Sequence, residues 1–160
     1  MSEVRPRRSV LYLPASNERA LEKAKSLPVD GLILDLEDAV APDAKSAARE
    51  LACAAAVSGA YGMRELTIRI NGLGSPWHED DLAAVCAAGP AGIVVPKVSR
   101  ADEVRSLASA MTAAGAPEHT SLWAMVETPR AILDCVAIGS GHCLEEFDAL
   151  KQVLISSEYS

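Results

Sequence analysis

Apolar residues bunch into five short runs along the chain, at 10–13, 31–36, 66–70, 92–95 and 121–126. They are short and rich in β-branched residues, so they predict strands buried on both faces rather than helices. The segments between them are rich in Ala and carry helical spacing. After the fourth run, Val104, Leu107, Ala108 and Met111 follow an i, i+3, i+4, i+7 stripe, with Ser99 as the expected cap and Asp102 three positions on. Ser75-Pro76 and Thr128-Pro129 each read as a cap residue followed by proline at the first helical position. Alternation of strand and helix at this spacing predicts right-handed βαβ crossovers and a parallel sheet.

The strand ends bear on the architecture. The second run finishes in Asp35-Leu36-Glu37-Asp38, the third in Arg69-Ile70-Asn71, the fourth in Pro96-Lys97 and the fifth in Glu127-Thr128. Parallel α/β folds build their sites at the carboxyl ends of strands, and charge on four successive ends favours a barrel-like ring over a doubly wound sheet. Acids beside bases can hold a hard divalent cation and an anionic substrate together, because Mg²⁺ takes oxygen ligands and keeps waters that a substrate can displace.

Composition narrows the class. The chain has 160 residues, a net charge of −7 and only six aromatic residues, so its core is expected to be Ala, Val, Leu and Ile. Disorder, a disulfide miniprotein and an all-β sandwich are disfavoured. An acidic chain lacks a broad face to neutralise a polyanion, and Arg5, Arg7 and Arg8 are too few to change that, so no nucleic-acid partner is expected. Nor does any apolar run approach the ~18 residues of a membrane span, and the first is too brief for a signal-peptide core, so the expected location is the cytoplasm. Cys53, Cys86, Cys135 and Cys143 form no CxxC pair and read as small hydrophobes. Gly72-Leu73-Gly74 lacks the third glycine of a dinucleotide loop. His78-Glu79-Asp80-Asp81 reads as first-turn acids set by the helix dipole.

The segments Arg7-Arg8-Ser9-Val10-Leu11-Tyr12-Leu13-Pro14-Ala15, Leu34-Asp35-Leu36-Glu37-Asp38-Ala39-Val40, Arg69-Ile70-Asn71, Pro96-Lys97-Val98 and Val126-Glu127-Thr128-Pro129 occur in that order. Together they resemble the citrate lyase beta subunit and malyl-CoA lyase group of the HpcH/HpaI aldolase superfamily. The resemblance implies a TIM-type (β/α)8 barrel and a Mg²⁺-dependent carbon–carbon lyase. Such an enzyme cleaves a hydroxyacyl-CoA to acetyl-CoA or a related thioester plus a 2-oxo acid. By the same resemblance, Glu127 is a metal ligand and Arg69 grips the oxo-acid carboxylate and polarises the carbonyl. Glu37 and Asp38 form the acidic pair that orders metal-bound water or moves protons, while Lys97 and Arg8 are substrate-binding candidates near the mouth. A related thioesterase or 2-oxo acid aldolase is the alternative within enzymes, and a non-catalytic fragment or binding subunit the alternative outside them.

A complete barrel takes about 250 residues, so this chain accommodates about five βα units. The expected division is a partial barrel over 1–138 and a divergent tail over 139–160. Leu144, Phe147, Leu150 and Leu154 predict a short amphipathic helix in that tail. The family's sixth strand, whose aspartate in a Gly-rich Asp-Leu motif completes the metal site, is missing from the pattern. Truncation or a frameshift is the expected cause, with a genuine replacement as the alternative; Glu145, Glu146 and Asp148 read as solvated helix acids, with substitution for the missing ligand as the lesser reading. Open edges on the first and fifth strands predict self-association or association with other subunits.

Overall fold

Alternation of strand and helix runs through the whole described chain. The computed structural model describes residues 6–140 and the backbone of residues 150–155. The strands are β1 (Val10–Pro14), β2 (Gly31–Asp35), β3 (Glu65–Arg69), β4 (Gly92–Val95), β5 (Ser121–Val126) and β6 (Leu150–Ile155). Helices α1 (Glu18–Ala24), α2 (Lys45–Val57), α3 (His78–Ala88) and α4 (Ala101–Ala113) join the first five, and α5 (Pro129–Leu133) and α6 (Cys135–Ser140) follow β5.

All neighbouring strands are parallel, and their order in the sheet is their order in the chain. A doubly wound sheet reverses direction part-way, whereas an order that never reverses, with right-handed crossovers, keeps every helix on one face. The result is a barrel opened along its length, as the strand ends predicted.

Strand alternation divides the apolar residues into two groups. Leu32, Leu34, Ile68, Ile93, Val95, Leu122 and Ala124 pack with helical residues such as Ala48, Val85, Val104 and Leu107. Ile33, Val94, Trp123 and Met125 form a second cluster on the concave side. Gly92 admits the indole of Trp123: a Cβ there would lie 2.8 Å from Nε1. Arg7 pairs bidentately with Glu65 at the start of β3 and lies 5.2 Å over the Trp123 ring, closing the amino-terminal end of the concave face.

The stripe predicted after the fourth run is α4, with Val104, Leu107, Ala108 and Met111 all buried. Its start differs from expectation. Arg100 is the N-cap, and the Glu103 carboxylate accepts the amides of Ser99 and Arg100, freeing Ser99 to share a 2.8 Å hydroxyl bond with Thr128. Thr128 itself caps α5 as predicted, accepting from Ala131 N–H at 3.0 Å. Ser75-Pro76 falls in a turn, and α3 begins only at His78.

The tail is corrected in part. Over 150–155 it is a strand rather than a helix, parallel to β5, so the edge of β5 expected to be open is paired. Unmet β5 backbone groups outweigh a weak helical stripe once Val153, Leu154 and Ile155 are available to pair. Leu144, Phe147, Glu145, Glu146, Asp148 and Cys143 lie outside the described residues.

Candidate functional site

The carboxyl ends of β2 to β5 meet on the concave side. Asp35 is the last residue of β2, Arg69 the last of β3, and their register makes them direct neighbours. Arg69 Nε and Nη2 donate to the two Asp35 oxygens at 2.6 and 2.7 Å, and both residues are buried. Asp35 also accepts the amides of Glu37 and Ala39 at 2.9 and 3.0 Å. Burial alone would push the Asp35 carboxyl up, but the Arg69 guanidinium and these amides outweigh it and hold the group below its ordinary value. The same pair raises the Arg69 pKa against the opposing effect of burial.

Asp35 and Glu37 have the same parity along the chain, so Glu37 turns towards Arg69 while Asp38 turns out to solvent. Glu37 Oε2 lies 3.3 Å from Arg69 Nη1, and Oε1 accepts from Lys97 Nζ at 2.7 Å. Oε2 is buried and has no hydrogen-bond partner. Asp38 is 63% exposed at its side chain and 3.8 Å from Lys97 Nζ.

Lys97 is a non-glycine residue with φ of 57°, a left-handed backbone that costs of order 1–3 kcal/mol and marks over-determined positions. That conformation lets one residue serve two carboxylates: its amide donates to Glu127 Oε1 at 2.7 Å while its ammonium reaches Glu37. Hydrogen bonding to Glu37 raises the Lys97 pKa. Burial raises that of Glu127, with the Lys97 amide opposing it. Beside these groups lies an open hollow of about 320 Å³ lined by Tyr12, Pro14, Asp35, Ala39, Arg69 and Met125. The Tyr12 ring stacks 5.2 Å from the Arg69 guanidinium, and its hydroxyl donates to Met125 Sδ at 3.8 Å.

Of the predicted site residues, Arg69, Glu37, Lys97 and Glu127 therefore converge, with Asp38 at the rim. Arg8 does not join them. It precedes β1 and binds Asp30, just before β2, through its amide and guanidinium at 2.8 to 3.0 Å. This is the amino-terminal end of the sheet, opposite the mouth. Sequence motifs alone do not assign Asp35 or Tyr12 to the site, although the shared parity of Ile33, Asp35 and Glu37 places Asp35 on the same face as Glu37. The first-turn acids of α3 are more than dipole partners: Asp81 is fully buried, accepting from Asn71 N–H, Asn71 Nδ2 and Arg49 Nε at 3.0, 2.6 and 2.7 Å.

The HpcH/HpaI aldolase/citrate lyase family model matches residues 8–151. The chain belongs to that family. It is 42% identical over 138 residues to a (3S)-malyl-CoA thioesterase of Cereibacter sphaeroides, covering 86% of this chain and 46% of that protein. To citrate lyase subunit beta of Leuconostoc mesenteroides it is 34% identical over 145 residues, covering 88% and 48%. The citrate lyase beta subunit of M. tuberculosis complexed with oxaloacetate and magnesium superposes with a TM-score of 0.70 at 27% identity, over 91% of this chain and 56% of that one. This family member thus spans about half the length of the curated relatives it matches.

The donor set fits a magnesium ion only in part. Glu127 and the unpartnered Glu37 Oε2 are hard oxygen donors, and Mg²⁺ is commonly held by one or two carboxylates with waters and substrate completing its shell. Among the described residues no three His, Cys, Asp or Glu side chains gather into a metal cage. Strand β6, at the place of a sixth barrel strand, carries Leu150-Lys151-Gln152-Val153-Leu154-Ile155 and no acid. Among the described residues no helix is long and apolar enough to cross a membrane.

Proposed function

We propose that this site serves Mg²⁺-dependent cleavage of a carbon–carbon bond in a hydroxyacyl-CoA, giving acetyl-CoA or a related thioester and a 2-oxo acid. The observation that carries the reading is the buried Asp35–Arg69 pair. Asp35 takes Nε and Nη2, so Arg69 is locked in one orientation with Nη1 towards Glu37 and the hollow. A guanidinium fixed in this way suits the carboxylate of an oxo acid and the oxygen that becomes its carbonyl, with no reorganisation during reaction.

Cleavage needs a base for the substrate hydroxyl, a positive centre for the developing carbonyl and a proton for the departing thioester enolate. Glu37, whose Oε2 has no hydrogen-bond partner, suits the base better than exposed Asp38. Lys97 holds Glu37 in place and adds positive charge at the mouth. Glu127 is the proposed metal ligand, and a bound Mg²⁺ would add Lewis acidity at the carbonyl oxygen. Thioester hydrolysis is the second reading, favoured by the 42% identity to a malyl-CoA thioesterase.

A thermal melt with and without Mg²⁺ plus oxaloacetate tests the site. Ligand at about 100 times its dissociation constant stabilises the folded state by about 2.7 kcal/mol. The transition is expected to rise in the native chain and stay put in Glu127→Gln; a melt blind to ligand in the native chain would overturn the assignment. With malyl-CoA as substrate, glyoxylate release without free thiol indicates the lyase, whereas free thiol indicates the thioesterase. Arg69→Ala is expected to lose both turnover and oxo-acid binding.

A further inference from the structure

The loop that carries Glu37 is held by a side chain outside the site. Lys45, the first residue of α2, is 5% exposed, and its ammonium donates to two successive carbonyls, Leu36 O at 2.7 Å and Glu37 O at 2.6 Å. Asn71 Nδ2 reaches the same Leu36 carbonyl at 3.0 Å, and Asn71 is fixed in turn by Asp81. The Trp77 ring lies 5.2 Å from the Lys45 ammonium, covering it on another side.

We infer that Lys45 is the positioning residue for Glu37, clamping the two carbonyls of the turn that aims its carboxylate between Arg69 and Lys97. A buried ammonium is a costly way to tie down a turn, because its desolvation has to be offset by well-made bonds. Here those bonds all fall on one dipeptide, and that dipeptide carries the carboxylate facing Arg69. Without the clamp, Leu36 O keeps Asn71 and Glu37 O keeps the Val40 amide at 3.1 Å. The turn therefore survives, but its orientation is no longer over-determined. Displacement of a catalytic group by ~1 Å can cost about a hundredfold in rate.

This inference rests on Glu37 belonging to the proposed site, and its test separates the two. Lys45→Met keeps the aliphatic stem and removes the donors; Lys45→Arg restores charge and donors. Turnover of malyl-CoA with Mg²⁺ is measured on the full chain, and the amide resonances of Glu37 and Lys97 are followed without ligand. The expected result is a cooperative melt in all three proteins, kcat at least tenfold lower in Lys45→Met with KM little changed, most of the loss recovered in Lys45→Arg, and both amides displaced in Lys45→Met. Native kcat in folded Lys45→Met overturns the inference. If the native chain does not turn over malyl-CoA, the site reading fails and the amides decide: unmoved Glu37 and Lys97 resonances overturn the role of Lys45. Should Lys45→Met not fold, Lys45→Gln, which keeps a donor for one carbonyl, is read in the same way.

Discussion

Asp35 and Asp38 stand three positions apart and meet opposite environments, because a strand and its continuation expose alternate residues to alternate faces. Asp35 is buried against Arg69; Asp38 is at the rim. Removing one partner of a buried ion pair is costly, so Asp35→Asn is expected to lose about 3 kcal/mol in urea denaturation. The Asp35 pKa lies below its ordinary 3.8 in the folded state. Its contribution is therefore full above pH ~4 and disappears as pH falls through the folded value. Glu127 has the opposite sign. Its pKa is raised above 4.5 by burial, so folding favours its neutral form, an advantage present below pH ~4.5 and lost as pH rises through the folded value. Glu127→Gln is accordingly expected to be more stable than the native chain at pH 7 and no more stable at pH 4. Paired melts at the two values check this, and equal differences at both would count against it.

Elements were the most legible scale. The predicted runs match β1 to β5 to within a residue or so at each end, because an apolar run between polar segments is a local signal that burial on both faces preserves. Helix starts were less legible: Ser99 and Ser75 both have a capping side chain, yet Glu103 and the turn before His78 set the boundaries. Packing between elements depends on pairs that lie far apart in the chain. Gly92 on β4 is the clearest, since an added methyl would meet the Trp123 indole, itself held by Ser121 and Arg7. Gly92→Ala is expected to cost about 1–3 kcal/mol by overpacking, measured as a lower midpoint in denaturant. An unchanged midpoint would show that Trp123 moves freely.

At the scale of the whole molecule, six parallel strands leave β1 paired on one side only among the described residues, with Val10 and Tyr12 38% and 42% exposed. Unpaired strand edges recruit other chains. The full chain is expected to scatter light as an oligomer at micromolar concentration, and a monodisperse monomer would refute this.

The sequence by itself determined the alternation of strand and helix, the parallel barrel-like order and the strand ends that carry charge. These follow from periodicity and from the right-handedness of crossovers, which are local or universal. Tertiary structure decided the partners: Arg69 with Asp35 across 34 positions, Lys97 with Glu37 across 60, Arg8 with Asp30 at the far end of the sheet, and the tail as a strand beside β5. A side chain's residue type limits what it can bond to. Which groups come within reach is set by the register and parity of strands distant in the chain.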